Sequence, residues 1–170
     1  SLYKEGDTLF VTCEDDFISV SFDESQVESI VYVPDHEFSF TVPMSGDAMN
    51  AYNKDSWEKP SHRIVISPVS DEVALSTRNI ALNSVDFTNN IRTFPHAWAN
   101  FVTRGSAVFE AKNAIDGVCD NSSHGAWPYH SWAAGAREDM IYILDFGTEV
   151  EVEKLTFFLR ADFPHDTYWK

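Results

Sequence analysis

The sequence predicts an all-β fold on three observations. Apolar and polar residues alternate over short runs, turn formers bracket those runs, and no stretch of residues 1–75 carries a convincing helical apolar period. Within Phe17-Ile18-Ser19-Val20-Ser21-Phe22, the residues Ile18, Val20 and Phe22 alternate with Ser19 and Ser21. A period of two turns one face toward a core. Glu37-Phe38-Ser39-Phe40-Thr41-Val42 repeats the pattern.

In chain order, strands are expected over residues 8–12, 17–22, 29–33, 37–42 and 63–67, each rich in β-branched or aromatic residues. Gly6-Asp7, Glu14-Asp15-Asp16, Pro34-Asp35 and Pro43 supply the turns. Residues 45–61 loosen into Gly, Asn, Asp, Lys, Ser and Pro around Tyr52 and Trp57, so a long loop is expected there. Its two aromatics either face a ligand or pin the loop to the sheet. Asp71-Glu72-Val73-Ala74-Leu75 reads as a short helical turn, and a boundary is placed near residue 75. Residues 1–75 are then a smaller all-β domain whose role the sequence leaves open, and residues 76–170 form a second unit. In that unit, 76–84 read as a crossing, 86–93 are polar, and 94–139 read mostly as loop. Strands are expected over 140–146 and 154–160, joined by the turn Gly147-Thr148-Glu149, with Ile141, Ile143 and Asp145 alternating against Tyr142, Leu144 and Phe146.

A chain of 170 residues with 44% hydrophobic content is long enough for a packed core that buries roughly 70% of its unfolded surface. The net charge of −15 excludes nucleic acid as a partner, because no basic footprint exists to displace counterions from phosphates. It weighs equally against anionic lipid, leaving neutral ligands or cations. Four of the six His and four of the five Trp lie beyond residue 75, which places the chemistry there. Thirteen Phe, six Tyr and five Trp suit either ligand-facing rings or an aromatic core. No apolar run reaches membrane-spanning length, so no membrane insertion is expected. No signal-peptide pattern opens the chain, and Ser1 in place of Met is compatible with a leader already removed. Cys13 and Cys119, far apart, are expected as free thiols.

Two clusters combine flat aromatic faces with planar hydrogen-bonding groups. The first is Asn113-Ala114-Ile115-Asp116-Gly117, followed by Asn121 to Trp132 with His124, Trp127, Tyr129 and His130 between them. The second runs from Arg160 through Asp162, His165 and Asp166 to Trp169. A pyranose presents an apolar C–H face that lies on Trp or Tyr and a rim of hydroxyls matched by Arg, His, Asp and Asn. Trp127, Tyr129, His130, Arg160, Asp162, His165, Asp166 and Trp169 are therefore the candidate ligand-binding residues. Arg160 admits a second reading, as an ion pair with Asp162 or Asp166 that braces the loop. His124 and His130 have no third ligand at zinc-like spacing.

Ala114-Ile115-Asp116-Gly117, a polar stretch and Trp132, then Ile143-Leu144-Asp145-Phe146-Gly147 and Val150-Glu151-Val152-Glu153-Lys154-Leu155, resemble the discoidin (coagulation factor V/VIII type C, galactose-binding-like) superfamily, carbohydrate-binding branch. The ordered match covers roughly residues 76–160, and the extended pattern is similar to a bacterial discoidin-like subgroup. The resemblance implies an antiparallel β-sandwich of jelly-roll type over 76–170, with Trp132 in its core. It also implies a structural Ca²⁺ beside the Asp-Gly loop, held by the Asn113 backbone carbonyl, the Asp116 carboxylate and a carbonyl or side-chain oxygen of Asn121; oxygen-only ligands suit that ion. Without a metal, Asp116 would form an Asx turn ahead of Gly117. The family's module carries further strands after the position of Arg160, so it is expected to be incomplete at the C-terminal end of this chain.

The expected function is non-catalytic glycan binding in an extracellular or cell-surface setting. Two alternatives stand beside it: a protein–protein adhesion or scaffolding module, and a small glycan-acting hydrolase with Asp162 and Asp166 as carboxylates and His165 as base. No Gly-x-Ser-x-Gly elbow, phosphate-cradling Gly loop or His-Glu-x-x-His motif supports catalysis, and no enzyme is expected.

Overall fold

The computed structural model describes residues 2–53, 55–89, 91–121 and 127–160. The described residues are β-rich: seven strands in small antiparallel sheets and two short helices. The strands are β1 (Thr8–Thr12), β2 (Phe17–Ser21), β3 (Ser29–Tyr32), β4 (Glu37–Thr41), β5 (Val65–Pro68), β6 (His96–Ala99) and β7 (Tyr142–Asp145). Helix α1 is Gly46–Met49 and α2 is Asp71–Ala74.

Alternation decides the first sheets. β1 and β4 pair with Val11 opposite Phe38 and Leu9 opposite Phe40. These side chains turn inward, while Phe10, opposite Ser39, is 83% exposed. β2 lies between β3 and β5. Its Ser19 and Ser21 are buried along with Ile18 and Val20, so the strand is covered on both faces rather than one. A central strand allows this when its polar atoms find partners, and the Ser19 hydroxyl bonds the Glu28 carboxylate.

Both sheets feed one core. Phe22 stacks on Phe40 at 4.9 Å, Phe40 meets Trp57 at 5.7 Å, and Trp57 meets Tyr52 edge-on. Of the two readings offered for Tyr52 and Trp57, burial against this core supports pinning for Trp57, which is 1% exposed. Inside the same segment Ser45 caps α1, its hydroxyl accepting from the Ala48 N–H at 3.3 Å.

Beyond residue 75 the chain is fastened to this frame by side chains. The Ser29 hydroxyl accepts the Ser84 N–H at 2.9 Å, and Val85 joins the first core. Tyr32 and Phe94 exchange backbone bonds at 2.9 Å each. Asp47 in α1 accepts from the Ser106 hydroxyl and the Ala107 N–H, both at 2.8 Å. β6 and β7 pair antiparallel, with Ala97 opposite Leu144 and Ala99 opposite Tyr142. Those four, with Ala111, Ile115 and Trp132, make a second, smaller core. Trp98 and Ile143, paired on the opposite face, are exposed. Gly147 follows β7 at φ +67°, and a Cβ there would lie 2.5 Å from the Phe94 ring.

Two sequence expectations need revision. β6 was expected as loop; two of its four residues are alanines of low β propensity, but the Asp86 carboxylate holds the Ala97 N–H at 2.9 Å and Ala97 and Ala99 pack in the second core. Residues 154–160, the expected last strand, belong to no strand, and Leu155, Phe157, Phe158 and Leu159 are exposed. Strand propensity needs a hydrogen-bonding neighbour to become a strand. Among the described residues, no helix is long and apolar enough to cross a membrane.

Candidate functional site

The Asp-Gly loop organises the site. The Asp116 Oδ1 accepts the Val118 N–H at 2.9 Å, closing an Asx turn. Gly117 then takes φ +88°, and a Cβ on it would sit 2.8 Å from Leu82 Cδ1 and 2.9 Å from Val27 Cγ2. Only glycine fits both the backbone and the space. The turn frees Asp116 Oδ2 to accept from His130 Nε2 at 2.5 Å, and the His130 side chain is 1% exposed. Trp127 stacks on the other part of this pair, its ring 4.3 Å from that of His130 at an interplanar angle of 9°. His130 Nδ1 is buried with no hydrogen-bond partner among the described residues.

Trp127 and Asp116 line a notch together with Ser84 and Val118, and Ser25, Gln26, Val27, Tyr52 and Asn53 from the first part of the chain also line it. Several of these side chains are held before any ligand arrives. Gln26 accepts the Phe22 N–H at 2.8 Å and donates to the Ser84 carbonyl at 3.2 Å, and the Ser25 hydroxyl lies 2.6 Å from that of Ser56. The notch thus combines two rings with hydroxyl, amide and carboxylate groups in fixed positions.

Beneath it lies a group that the sequence reading missed. Lys112 is buried, with its Nζ 3.4 Å from the Tyr52 hydroxyl, 3.2 Å from Asn113 Oδ1 and 4.6 Å above the Tyr52 ring centroid. Burial opposes its charge, but Tyr52, Glu110 and Asp116 outweigh it and hold the ammonium above the ordinary lysine range. Asn113 completes its bonding through Nδ2, which donates to the Ala107 carbonyl at 2.8 Å.

The expected ligand-binding residues divide into three groups. Trp127 and His130 are joined by stacking, and Tyr129, between them in sequence, is half-buried. Arg160 is half-buried at the end of the exposed 151–160 segment. Asp162, His165, Asp166 and Trp169 lie outside the described residues, as does His124. Of the residues assigned to Ca²⁺, Asn113 is buried and Asn121 exposed, and both carboxylate oxygens of Asp116 already have protein donors. Trp132 packs in the second core, 4.9 Å from Tyr142, and donates its indole N–H to the Phe101 carbonyl at 3.3 Å.

Two further histidines repeat the buried pairing with aspartate. His62 Nδ1 lies 3.0 Å from Asp23 Oδ2, and His96 Nδ1 lies 2.7 Å from Asp86 Oδ1. The bond to Asp86 outweighs burial and raises the His96 pKa, with Asp145 adding to it. In each ring the second nitrogen is buried without a hydrogen-bond partner among the described residues. Cys13 and Cys119 are free thiols, both raised by burial first and neighbouring carboxylates second. No protein-family model, curated protein or solved structure matches this chain.

Proposed function

We propose that this chain is a non-catalytic glycan-binding protein and that its β-rich fold is a discoidin-like jelly roll working in an extracellular or cell-surface setting. The supporting observation is the notch in which Trp127 and Tyr52 stand among Ser25, Gln26, Asn53 and Asp116. The apolar face of a pyranose lies on the Trp127 ring, which His130 backs from behind, and its hydroxyls exchange hydrogen bonds with the surrounding hydroxyl, amide and carboxylate groups. The strongly acidic chain selects for neutral sugars over anionic ones.

Calorimetry against a panel of neutral oligosaccharides tests this. Binding is expected in the unmodified chain, with a loss of at least roughly tenfold in Trp127→Ala, the cost of removing a central aromatic contact. Absence of heat with every neutral glycan ends the reading.

A protein partner is the second reading, favoured by one observation. Trp98, Ile141 and Ile143 leave an apolar face of the β6–β7 pair exposed. Capture of a protein partner that Trp98→Ser abolishes and free glycan leaves unchanged would favour adhesion over sugar binding.

A further inference from the structure

The carbonyl and carboxylate oxygens around the Asp-Gly loop invite a cation, and the chain already supplies one. Lys112 sits one residue before Asn113 and four before Asp116, on the single turn Ala111–Ala114. That short turn aims its side chain inward, where it reaches the Asn113 amide oxygen and the hydroxyl and ring of Tyr52. The Asn113 side-chain oxygen, though not the backbone carbonyl that the resemblance implies as a ligand, is therefore engaged by an ammonium, and Asp116 is engaged by the Val118 N–H and His130. A Ca²⁺ at this place would need six to eight oxygens pointing at it. It would also have to enter beside a buried positive charge whose repulsion is little screened.

We propose that the ε-ammonium of Lys112, held by Asn113 and Tyr52, is the resident cation beside the Asp-Gly loop, so that the loop takes up no divalent ion, and that it fixes Tyr52 where that ring lines the notch. Lys112 does not line the notch, so it is a positioning residue. The second clause rests on the glycan reading; the first does not.

Two measurements without glycan decide the first clause. In calorimetry and thermal denaturation of the unmodified chain, CaCl₂ is expected to give no binding heat and no shift in Tm relative to EDTA. Lys112→Ala is expected to lower Tm by roughly 10 °C and to recover part of that loss in ethylammonium chloride, but not in NaCl of equal ionic strength. Calcium uptake by the unmodified chain that Asp116→Asn abolishes overturns the proposal. So does a Lys112→Ala variant that is as stable as the parent or indifferent to ethylammonium. If Lys112→Ala does not fold, the calcium titration of the unmodified chain decides alone. Glycan affinity in Lys112→Met then reads the second clause, which predicts at least a roughly tenfold loss while the variant keeps its unfolding transition; undiminished affinity removes that clause only.

Discussion

The two cores of this chain are held by different forces. In the first, rings from β4, the 45–61 segment and Phe22 just after β2 interlock, and Val11, Val20, Val31 and Phe40 are almost wholly dry. In the second, the fully buried members are Ala97, Ala111 and Ile115, backed by half-buried Trp132, Tyr142 and Leu144. What the second lacks in apolar volume it replaces with side-chain bonds to backbone: Asn83 to the Pro95 carbonyl at 2.8 Å, Asp86 to the Ala97 N–H at 2.9 Å. An aromatic core is stabilised by area removed from water, whereas a polar-stitched one depends on each bond being present. Position, not amount, decides the second region.

The largest way to break this contrast is Trp57→Ala, which empties the first core and should cost about 3–5 kcal/mol in urea unfolding. Leu144→Ala, in the half-buried second core, should cost about half as much or less; equal costs would mean that the two regions are packed alike. Gly117→Ala comes next, at about 2–3 kcal/mol, since it forces a left-handed backbone and drives a methyl into Leu82 and Val27. A Gly117→Ala variant with unchanged stability would show that Val27 and Leu82 can yield.

A smaller effect lies in pH. The raised pKa of His96 means that its pair with Asp86 contributes stability fully below the unfolded histidine value of 6.5, and loses it as pH rises through the folded value. The Tm difference between the parent chain and His96→Gln should therefore be widest at about pH 5 and narrow toward about pH 9. A gap that is flat across that range would show that the pair works as a neutral hydrogen bond only. The smallest effect belongs to the Glu24–Lys59 ion pair at 2.8 Å on the first region's surface. Lys59 holds the Glu24 carboxyl down to about 2, yet both groups are solvated, so Lys59→Ala should leave the urea midpoint unchanged.

The same contrast explains what was legible in the sequence. β1 to β4 follow from alternation, because a hydrophobic core writes a period of two into any strand that faces it. α2 is where Asp71-Glu72 at its start places it. β6 was hidden, since Ala97 and Ala99 carry no β signal and their strand is fixed by Asp86, eleven residues upstream of Ala97. Trp127 and His130 stood out as an aromatic–polar pair, but the link from His130 back to Asp116 was not readable from spacing. Lys112 was missed for a plainer reason. A lone lysine beside Asn113 reads as solvated surface, and only its neighbours Tyr52 and Asn113 show otherwise.

The Asp47 carboxylate has a consequence for how the molecule comes into being. The amide and hydroxyl it holds belong to residues 60 and 59 positions later. Since chains emerge from the ribosome N-terminus first, the acceptor is made before its donors exist. Docking of the later half therefore requires closing a loop of some 60 residues, and its own Val85, Phe87 and Ala107 complete the core on which it settles.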